Sequence, residues 1–321
     1  MSEQRRVAVF FFKTAGAFDR MISPVRWLCP ACDAPVTSSP TKIPDREYGI
    51  SWVASYALCS ECGSCFQAPM PQVSQLSDFY PAGYHSFGRA GVLTRIRFDM
   101  RIRRLRSFAM QQGVVLDHGC GDGTFLLRAA EQMPDQSFFG YEISDSYQVL
   151  KYLNGRVTVV RGAESDLFRL LPPCTLITMN HVIEHLPDPA TTLARFREKL
   201  LPNGIIEGQT PAANSLEHRL FGSRWSGYHA PRHTVVFSTK GLMRILERAG
   251  FEVLSVRGAF NPAGIAVSLS SLAAPAESPS RIERTGVKWL CSLALAAPLS
   301  AADFLSPAPG IVNFSARRPA L

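Results

Sequence analysis

Residues 114–127, VVLDHGCGDGTFLL, decide the fold class of this 321-residue chain. A short apolar run ends at Asp117, three glycines follow at 119, 121 and 123, and apolar residues return with helical spacing from Phe125. This order predicts a buried strand, a tight turn and the start of a helix. Glycines let such a turn adopt positive φ and let a ligand lie against the backbone, while free amides at the helix amino terminus face the ligand. The stretch therefore predicts a nucleotide-binding α/β domain.

Two carboxylates near this turn narrow the expected ligand. Asp117 precedes Gly119 at the strand end, where a dinucleotide-binding turn needs no charge and where a carboxylate suits a cationic ligand. Glu142 ends the apolar run FFGYEI, where a carboxylate can bind ribose hydroxyls. Thr124 occupies the place of the third glycine of a dinucleotide fingerprint. These residues favour S-adenosylmethionine over NAD, and a purely structural glycine turn is the alternative.

Five segments of the chain resemble successive landmarks of class I S-adenosylmethionine-dependent methyltransferases: DHGCGDGTFL, GYEIS, NHVIEHLPDP, FGSRWSGYHAPRHTVVFS and LMRILERAGFEV. They are most similar to the bacterial group of ubiquinone-biosynthesis O-methyltransferases that carries an N-terminal zinc-ribbon-like segment. The resemblance implies a Rossmann-like, seven-stranded methyltransferase sheet and S-adenosylmethionine as methyl donor. The residues expected to contact this cofactor are Asp117, Gly119, Cys120, Gly121, Glu142, Ile143, Asn180 and His181.

The composition limits the number of domains and the kinds of partner that the chain can have. With 46% hydrophobic and 19% charged residues, the chain is long enough for one full α/β domain and a small appendage. A net charge of +8 permits an acidic partner such as nucleic acid or an anionic lipid surface, although many enzymes are this basic without one. We predict four parts: an extension at 1–26, a zinc-ribbon-like segment at 27–68, a linker and basic helix at 69–110, and a methyltransferase domain at 111–321 with an insertion at 259–309.

The eight cysteines point to metal rather than disulfides, because the apolar run near the amino terminus is too short for a secretory signal. We therefore expect a cytoplasmic protein. Cys29 and Cys32 form one CxxC pair, and Cys59 and Cys62 form a second. Four thiolates make the closed tetrahedral site of a structural zinc ion, which leaves no open position for catalysis. The alternatives are a ribbon that has lost its metal, and Cys65 as the fourth ligand in place of Cys62.

Residues 89–106 contain seven arginines interleaved with apolar residues, which predicts an amphipathic helix with a strongly basic face. That face is either solvated or meets a phosphate-bearing substrate or a membrane surface.

The remaining periodicity predicts the alternating strands and helices of a doubly wound sheet. The expected strands lie near 114–117, 138–143, 157–161, 175–180, 205–210, 251–257 and 311–317. The expected helices lie near 124–133, 146–154, 189–201 and 240–249.

The motif at residues 180–189, NHVIEHLPDP, is the first candidate for catalysis. A helical turn would place His181, Glu184 and His185 on one face, directed towards the cofactor's methyl group. An inverted zinc-protease motif is rejected, because prolines follow immediately and end any helix. In the resembling enzymes this place carries an ExxEH that can bind a divalent ion, but here His181 replaces the first glutamate.

Two interpretations of this motif stay open. In one, His185 is a general base that Glu184 orients. In the other, Asn180 and His181 wall the cofactor pocket, while Glu184 and His185 only hold the loop. His233, in the insertion after the fifth strand, is the second candidate base, and its alternative is a hydrogen-bonded loop histidine.

The insertion at 259–309 contains the apolar run WLCSLALAAPLSAA at 289–302. A bilayer-spanning helix needs about 20 residues, so we expect no transmembrane span. The run either touches a membrane or a lipophilic acceptor, or packs as a helical lid or a dimer face.

The sequence thus predicts methyl transfer to the oxygen of a small or lipid-linked acceptor. C-methylation of a sugar or other metabolite is the alternative. An RNA methyltransferase is permitted by the charge but not favoured, because the motif NHVIEH stands where an amino-base methyltransferase carries Asn/Asp-Pro-Pro-Tyr. The non-enzymatic alternative is a scaffold protein that binds S-adenosylmethionine.

Overall fold

A sheet of eight strands forms the centre of the computed structural model, which describes residues 27–81, 84, 92–109, 112–144, 146–275, 279, 281–284 and 286–320. The predicted extension at 1–26 and parts of the aromatic linker lie outside the described residues.

The cysteine-bearing segment forms short antiparallel strands. They are β1 (Trp27–Leu28), β2 (Pro35–Val36), β3 (Thr41–Pro44), β4 (Val53–Leu58) and β5 (Cys65–Gln67). The first two strands pair with each other, and the other three form one side of a four-stranded sheet.

The remaining strands, in chain order, are β6 (Gly113–His118), β7 (Gln136–Ile143), β8 (Gln148–Tyr152), β9 (Val157–Gly162), β10 (Cys174–Asn180), β11 (Leu200–Pro211), β12 (Val235–Val236), β13 (Glu252–Gly258) and β14 (Ile311–Arg317). The large sheet has the order β13-β14-β11-β10-β6-β7-β9-β8. Its five central strands are parallel, β8 and β14 run antiparallel to them, and β13 pairs antiparallel with β14 and so has the direction of the central strands. The carboxyl ends of the central strands therefore share one edge, where α/β proteins bind their ligands.

Eight α-helices connect or flank these strands in the described part of the chain. They are α1 (Val92–Phe108), α2 (Thr124–Gln132), α3 (Glu164–Leu170), α4 (Pro189–Lys199), α5 (Leu216–Phe221), α6 (Thr239–Arg248), α7 (Pro262–Ser271) and α8 (Gly286–Phe304). Ile102 and Leu105 of α1 pack with Leu126 of α2 on one face of the sheet. Phe196 of α4 and Leu246 of α6 pack on the other face, so the predicted α/β layers are present.

The prediction of a helix over 146–154 is wrong, because residues 148–152 form the edge strand β8. β8 pairs antiparallel with β9 through a turn at Leu153, Asn154 and Gly155, and all three residues have positive φ. Asn-Gly is a strong hairpin signal, because both residues adopt the positive φ of a tight turn between two strands. The extra strand makes the sheet eight-stranded rather than seven-stranded.

Two smaller differences concern helices. The predicted helix 189–201 ends at Lys199, because β11 already begins at Leu200, where it pairs with Cys174 of β10. The short helix α3 was not predicted.

The cysteine-bearing segment shares hydrogen bonds with the methyltransferase-like part of the chain. β5 pairs with β12, so the small sheet is completed by a strand from far along the sequence. Next to β12, the Ser238 amide donates to Ser64 Oγ at 3.0 Å, and the Ser238 hydroxyl donates to the Cys62 carbonyl. The same hydroxyl caps α6 by accepting from the Gly241 amide at 2.9 Å. The segment is thus fastened to the start of α6.

The predicted insertion at 259–309 contains the helical pair α7 and α8. Among the described residues, α8 is the one helix that is long and apolar enough to cross a membrane, judged by length and composition alone. It has 19 residues and continues through Pro298, so it is longer than the apolar run on which our expectation of no span rested.

Candidate active site

The glycine turn after β6 has the backbone shape that only glycine adopts readily. Gly119, Gly121 and Gly123 have φ values of 73°, 60° and 82°. A Cβ atom on Gly119 would lie 2.5 Å from Cγ2 of Val182, so the position also has no room for a side chain. Gly123 directly precedes α2, which directs the helix amino terminus at the turn. This backbone leaves a cradle for a ligand at the end of β6.

Glu142, at the end of β7, closes one side of this cradle. Its Oε2 accepts a hydrogen bond from the Gly121 amide at 2.6 Å. Burial raises the pKa of Glu142, although the Gly121 amide opposes the shift. The neighbouring Ile143 is 61% exposed, whereas the Cys120 side chain is buried in the core, so Cys120 offers only its backbone to a ligand.

Asp117 is buried at the other side of the turn and pairs with an arginine from α1. Nη2 of Arg101 lies 2.5 Å from Oδ1 of Asp117 and donates to Thr178 Oγ1 at 3.1 Å. With its amide oxygen turned towards α1, Asn180 accepts from Nε of Arg101 at 2.9 Å. Burial raises the pKa of Asp117 to about 6, although the Arg101 charge opposes the shift.

A second arginine of α1 repeats this arrangement one helical turn further on. Nη2 of Arg104 lies 2.8 Å from Oε2 of the buried Glu207 and also donates to the Phe314 carbonyl at 2.8 Å. The predicted basic face is therefore not simply solvated, because two of its arginines neutralise acids buried at the carboxyl edge of the sheet.

Glu184 is fully buried at the centre of the second half of the site. Thr210 donates to its Oε2 at 2.9 Å. Its Oε1 lies 3.3 Å from Nδ1 of His181 and 3.9 Å from Nε2 of His233, and has no closer hydrogen-bond partner among the described residues. Burial raises the pKa of Glu184, but the hydrogen bond and charge of His181, the charge of His185 and a backbone hydrogen bond together leave the pKa below its usual value.

The expected helical turn is only partly present. Residues Ile183–His185 form a single 3₁₀ turn, whereas His181 lies before it with φ of 54°. Glu184 and His181 still meet, but through a kinked backbone rather than through one helical face.

Three histidine rings lie against one another beside Glu184. The His185 and His233 ring centroids are 4.6 Å apart, and those of His229 and His233 are 5.0 Å apart. Burial lowers the pKa of His185 to about 4 and lowers the pKa of His229 and of His233 well below the usual value. All three imidazoles are therefore neutral near pH 7.

Backbone carbonyls determine which nitrogens of two of these rings carry the proton. Nδ1 of His185 lies 3.1 Å from the Arg232 carbonyl and 2.9 Å from the Tyr80 hydroxyl, and Nδ1 of His233 lies 2.8 Å from the Gly227 carbonyl. A carbonyl oxygen only accepts, so Nδ1 is the donor in both rings. Each Nε2 then carries a lone pair that can accept a proton or bind a metal ion.

Arg232 holds the loop that carries His229 and His233. Its side chain is fully buried and pairs with the fully buried Asp45, with Nη2 2.8 Å from Oδ1. It also donates to the Phe79 carbonyl at 3.1 Å and to Nε2 of His229 at 2.9 Å. The buried pair thus joins the cysteine-bearing segment, the aromatic linker and the histidine loop.

Two groups of side chains in the described part of the chain have ligand atoms close enough to share a metal ion. In the first, the sulfur atoms of Cys29 and Cys62 are 3.6 Å apart and those of Cys32 and Cys59 are 3.7 Å apart. A tetrahedral ion with Zn–S bonds of about 2.3 Å separates its ligands by about 3.8 Å, so the four cysteines fit zinc. Glu184, His185 and His233 form the second group, with ligand atoms within 4.8 Å of one another.

A family model described as a methyltransferase domain matches residues 95–256. The chain belongs to the methyltransferase domain family. The match begins after the cysteine-bearing segment, so it does not describe the predicted zinc ribbon.

Curated relatives match a shorter part of the chain. A trans-aconitate 2-methyltransferase of Deinococcus radiodurans is 30% identical over 107 residues, which are 33% of this chain and 41% of the relative. The corresponding protein of Azoarcus sp. is 28% identical over 129 residues, 40% of this chain and 45% of the relative. The chain thus spans less than half the length of these relatives.

Solved structures similar to this chain include an S-adenosylmethionine-dependent methyltransferase from Archaeoglobus fulgidus. It has 20% identity and a TM-score of 0.45, and the match covers 70% of this chain and 94% of that one. The [4+2]-cyclase SpnF has 15% identity and a TM-score of 0.47, covering 88% and 100%.

The methyltransferase domain brings the predicted residues together in two groups along one edge. Asp117, Gly119, Gly121, Glu142 and Asn180 surround the glycine turn. His181, Glu184, His185 and His233 meet beyond the end of β10. The sequence placed Arg101 on the basic helix but did not assign it to the cofactor site, because one arginine among seven gives no sign of which acid it meets. The sequence analysis missed Arg232 and Asp45, whose pairing no local pattern reveals.

Proposed function

We propose that this chain transfers the methyl group of S-adenosylmethionine to an oxygen of a small or lipid-linked acceptor. The observation that carries the proposal is that a glycine cradle with two carboxylates and a pair of neutral histidines lie along one edge of a methyltransferase-family sheet. The curated relatives are named for trans-aconitate, which supports a small-molecule acceptor. We propose oxygen as the nucleophile because the sequence resembles the ubiquinone-biosynthesis O-methyltransferases.

Bound S-adenosylmethionine supplies a methyl group that is already activated by its positive sulfur. The residues of this chain that would hold it are Arg101, Asp117, Gly119, Gly121 and Glu142. Glu142 has one oxygen engaged by the Gly121 amide, which leaves the other for a ribose hydroxyl. Arg101 places a guanidinium beside a carboxylate, so the pair can meet both charged ends of an amino acid. Holding donor and acceptor in line supplies most of the rate, because the leaving group needs no further activation.

His185 and His233 are the groups that can take the proton of an acceptor hydroxyl. Each keeps its proton on Nδ1, through a backbone carbonyl, and so accepts at Nε2. Glu184 stabilises the imidazolium that results, and Thr210 fixes the orientation of Glu184. General-base assistance of this kind contributes about 10²- to 10⁴-fold. A base of this type also serves C-methylation, so the histidines do not by themselves select oxygen.

The cofactor part of the proposal is tested by calorimetric titration with S-adenosylhomocysteine. We expect micromolar binding by the wild type, and loss of binding by Asp117→Ala and by Glu142→Ala. Glu131→Ala is the matched control, because Glu131 is an exposed acid on α2 outside the turn. A folded wild type that does not bind would contradict the proposal.

The catalytic part is tested by turnover on candidate acceptors with His185→Gln and His233→Gln. The proposal expects a fall in kcat with little change in S-adenosylhomocysteine affinity. Binding of cofactor without turnover on any extract supports the scaffold alternative instead. Salt-dependent retention of RNA supports the nucleic-acid alternative.

We also propose that Cys29, Cys32, Cys59 and Cys62 hold one structural zinc ion. The supporting observation is the separation of the sulfur pairs, 3.6 and 3.7 Å, which matches a tetrahedral thiolate site. Metal analysis of the purified chain should give one zinc per chain, and Cys29→Ser should lower that value. Cys65→Ser is the control, because this buried thiol lies outside the group of four.

A further inference from the structure

The helix α8 exposes large apolar side chains to solvent, although its inward side already packs Trp289, Leu293 and Ala296 against the core. Val287, Leu290, Leu295 and Leu305, in and just after the helix, are 75%, 64%, 71% and 79% exposed. They recur on one side at helical spacing, and the run 289–302 contains no charged residue. An ordinary surface helix carries polar and charged residues on its outer side instead.

The inward side of α8 is fixed to the domain by polar contacts. Ser300 and Asp303 are buried. The Ser300 hydroxyl accepts from the Asn261 amide at 2.9 Å. The Asp303 carboxylate accepts from the Gly310 amide at 2.6 Å and from the Glu217 amide at 3.3 Å. These hydrogen bonds hold the helix against the protein, and a helix that crossed a bilayer would have to break them. The outer side of α8 can therefore contact a membrane only while the helix lies parallel to the membrane surface.

The apolar surface continues beyond α8 onto neighbouring elements. Leu216 and Leu220 of α5 are 45% and 59% exposed, and the Leu216 amide bonds to the Ala308 carbonyl just after α8. Phe260, immediately before α7, is 55% exposed. We call this surface, made of Leu216, Leu220, Phe260, Val287, Leu290, Leu295 and Leu305, the apolar face. Groups of exposed large apolar side chains flanked by charged residues mark interaction sites.

Basic side chains flank the apolar face. Arg281 and Lys288 are exposed near the amino end of α8, and Arg257 is exposed beside Gly258, whose Cβ would lie 3.0 Å from the Phe304 carbonyl at the other end. In the described part of 257–309, Glu283 is the one exposed acid. The whole chain carries a formal charge of +8, which disfavours a second copy of itself and favours an anionic surface.

We propose that the apolar face docks this protein in the plane of an anionic lipid bilayer. The apolar side chains enter the boundary between headgroups and acyl chains, and Arg257, Arg281 and Lys288 contact lipid phosphates. The helix of 19 residues gives a contact about 28 Å long. The inference does not depend on methyl transfer, although a membrane position would give the active site access to a lipid-linked acceptor.

The test is flotation of the full chain with vesicles of phosphatidylcholine alone and with vesicles that contain about 30% phosphatidylglycerol. We expect binding to the anionic vesicles at low salt, at least tenfold stronger than to the neutral ones, and weakening as salt rises. Leu290→Glu/Leu295→Glu should reduce binding at least tenfold. Both residues are exposed, so the fold should tolerate the change, and S-adenosylhomocysteine affinity reports that it has done so.

Two further variants sharpen the result. Leu170→Glu/Leu201→Glu places the same charges on exposed leucines of other elements and should leave vesicle binding unchanged. Arg281→Glu/Lys288→Glu should remove the preference for anionic lipid. Equal binding by wild type and Leu290→Glu/Leu295→Glu would overturn the proposal. So would a wild-type dimer in solution that the same pair of substitutions converts to monomer, because a second copy would then cover the apolar face.

Discussion

The two halves of the candidate site are built in different ways. The cofactor half consists of the glycine turn, Asp117, Glu142 and Arg101, and most of it comes from the adjacent parallel strands β6 and β7. The acceptor half consists of Glu184, the histidines 185, 229 and 233, and the Arg232–Asp45 pair, whose members are 187 residues apart in the chain. The cofactor half should therefore tolerate damage to the cysteine-bearing segment, whereas the acceptor half depends on it.

Removal of the proposed zinc ion should have the largest effect and should separate the two halves. Structural zinc contributes about 10 kcal/mol in small domains, and a loss of even half that amount lowers the Tm of a chain of this size by roughly 10 °C. We expect chelation to produce such a decrease and to abolish turnover, because β5 and the Ser64 contact at the start of α6 are disturbed. S-adenosylhomocysteine affinity should fall by less than about threefold, because the cofactor half lies on other elements and effects at separate sites are nearly independent.

Calorimetry before and after chelation, with zinc added back as control, measures this separation. If cofactor binding and thermal stability are lost together, the two halves are one cooperative unit and the comparison fails.

The second prediction concerns the buried ion pair of the acceptor half. Arg232→Met leaves the Asp45 carboxylate buried without its partner, which costs about 3–5 kcal/mol of unfolding free energy. Asp45→Asn should cost a similar amount, and the double variant less than the sum, because neither charge is then left unpaired. Urea unfolding of the three variants checks this. Arg169→Ala, which breaks an exposed pair with Asp166, should leave stability unchanged within error.

The same contrast explains how much the sequence could predict. The glycine turn and its two carboxylates follow from patterns within a few residues, so the sequence predicted the fold class and these members of the cofactor half, but not Arg101 or the eighth strand. The sequence did not predict the Arg232–Asp45 pair. A charged residue in a loop is ordinarily solvated, and no nearby sequence pattern indicates which distant residue would pair with it. The edge strand β8 was a different kind of error, since Asn154-Gly155 signalled its hairpin.

The third prediction asks whether the cofactor half needs Arg101, which the sequence analysis did not assign to it. Charge-assisted hydrogen bonds contribute about 1.5–3 kcal/mol, so Arg101→Met should weaken S-adenosylhomocysteine binding by about 10- to 100-fold. Arg103→Met is the matched control, because Arg103 is exposed on the same helix. Calorimetry on both variants checks the difference. Equal affinity for Arg101→Met and wild type would remove Arg101 from the site.

The last prediction concerns the pH dependence contributed by one histidine of the acceptor half. Burial lowers the pKa of His185 to about 4 from 6.5, so between these values the unfolded chain binds a proton that the folded chain does not. Stability conferred by this group therefore decreases as pH falls through that window, by about 1.4 kcal/mol per pH unit. Asp117 has the opposite sign, because its pKa is raised to about 6, and so the folded state takes up the proton first.

Comparison of wild type with His185→Gln isolates the histidine, since Asp117 contributes equally to both. Urea unfolding between pH 4.5 and 6.5 should show a slope that is smaller in the variant by about one proton. The same low pKa means that His185 should add no acid limb near pH 6.5 to the kcat/KM for the acceptor at saturating S-adenosylmethionine, unlike an exposed histidine base. An acid limb at pH 6.5 that disappears in His185→Gln would mean that this ring is solvated in the working enzyme, and that the acceptor half is more open than its buried contacts indicate.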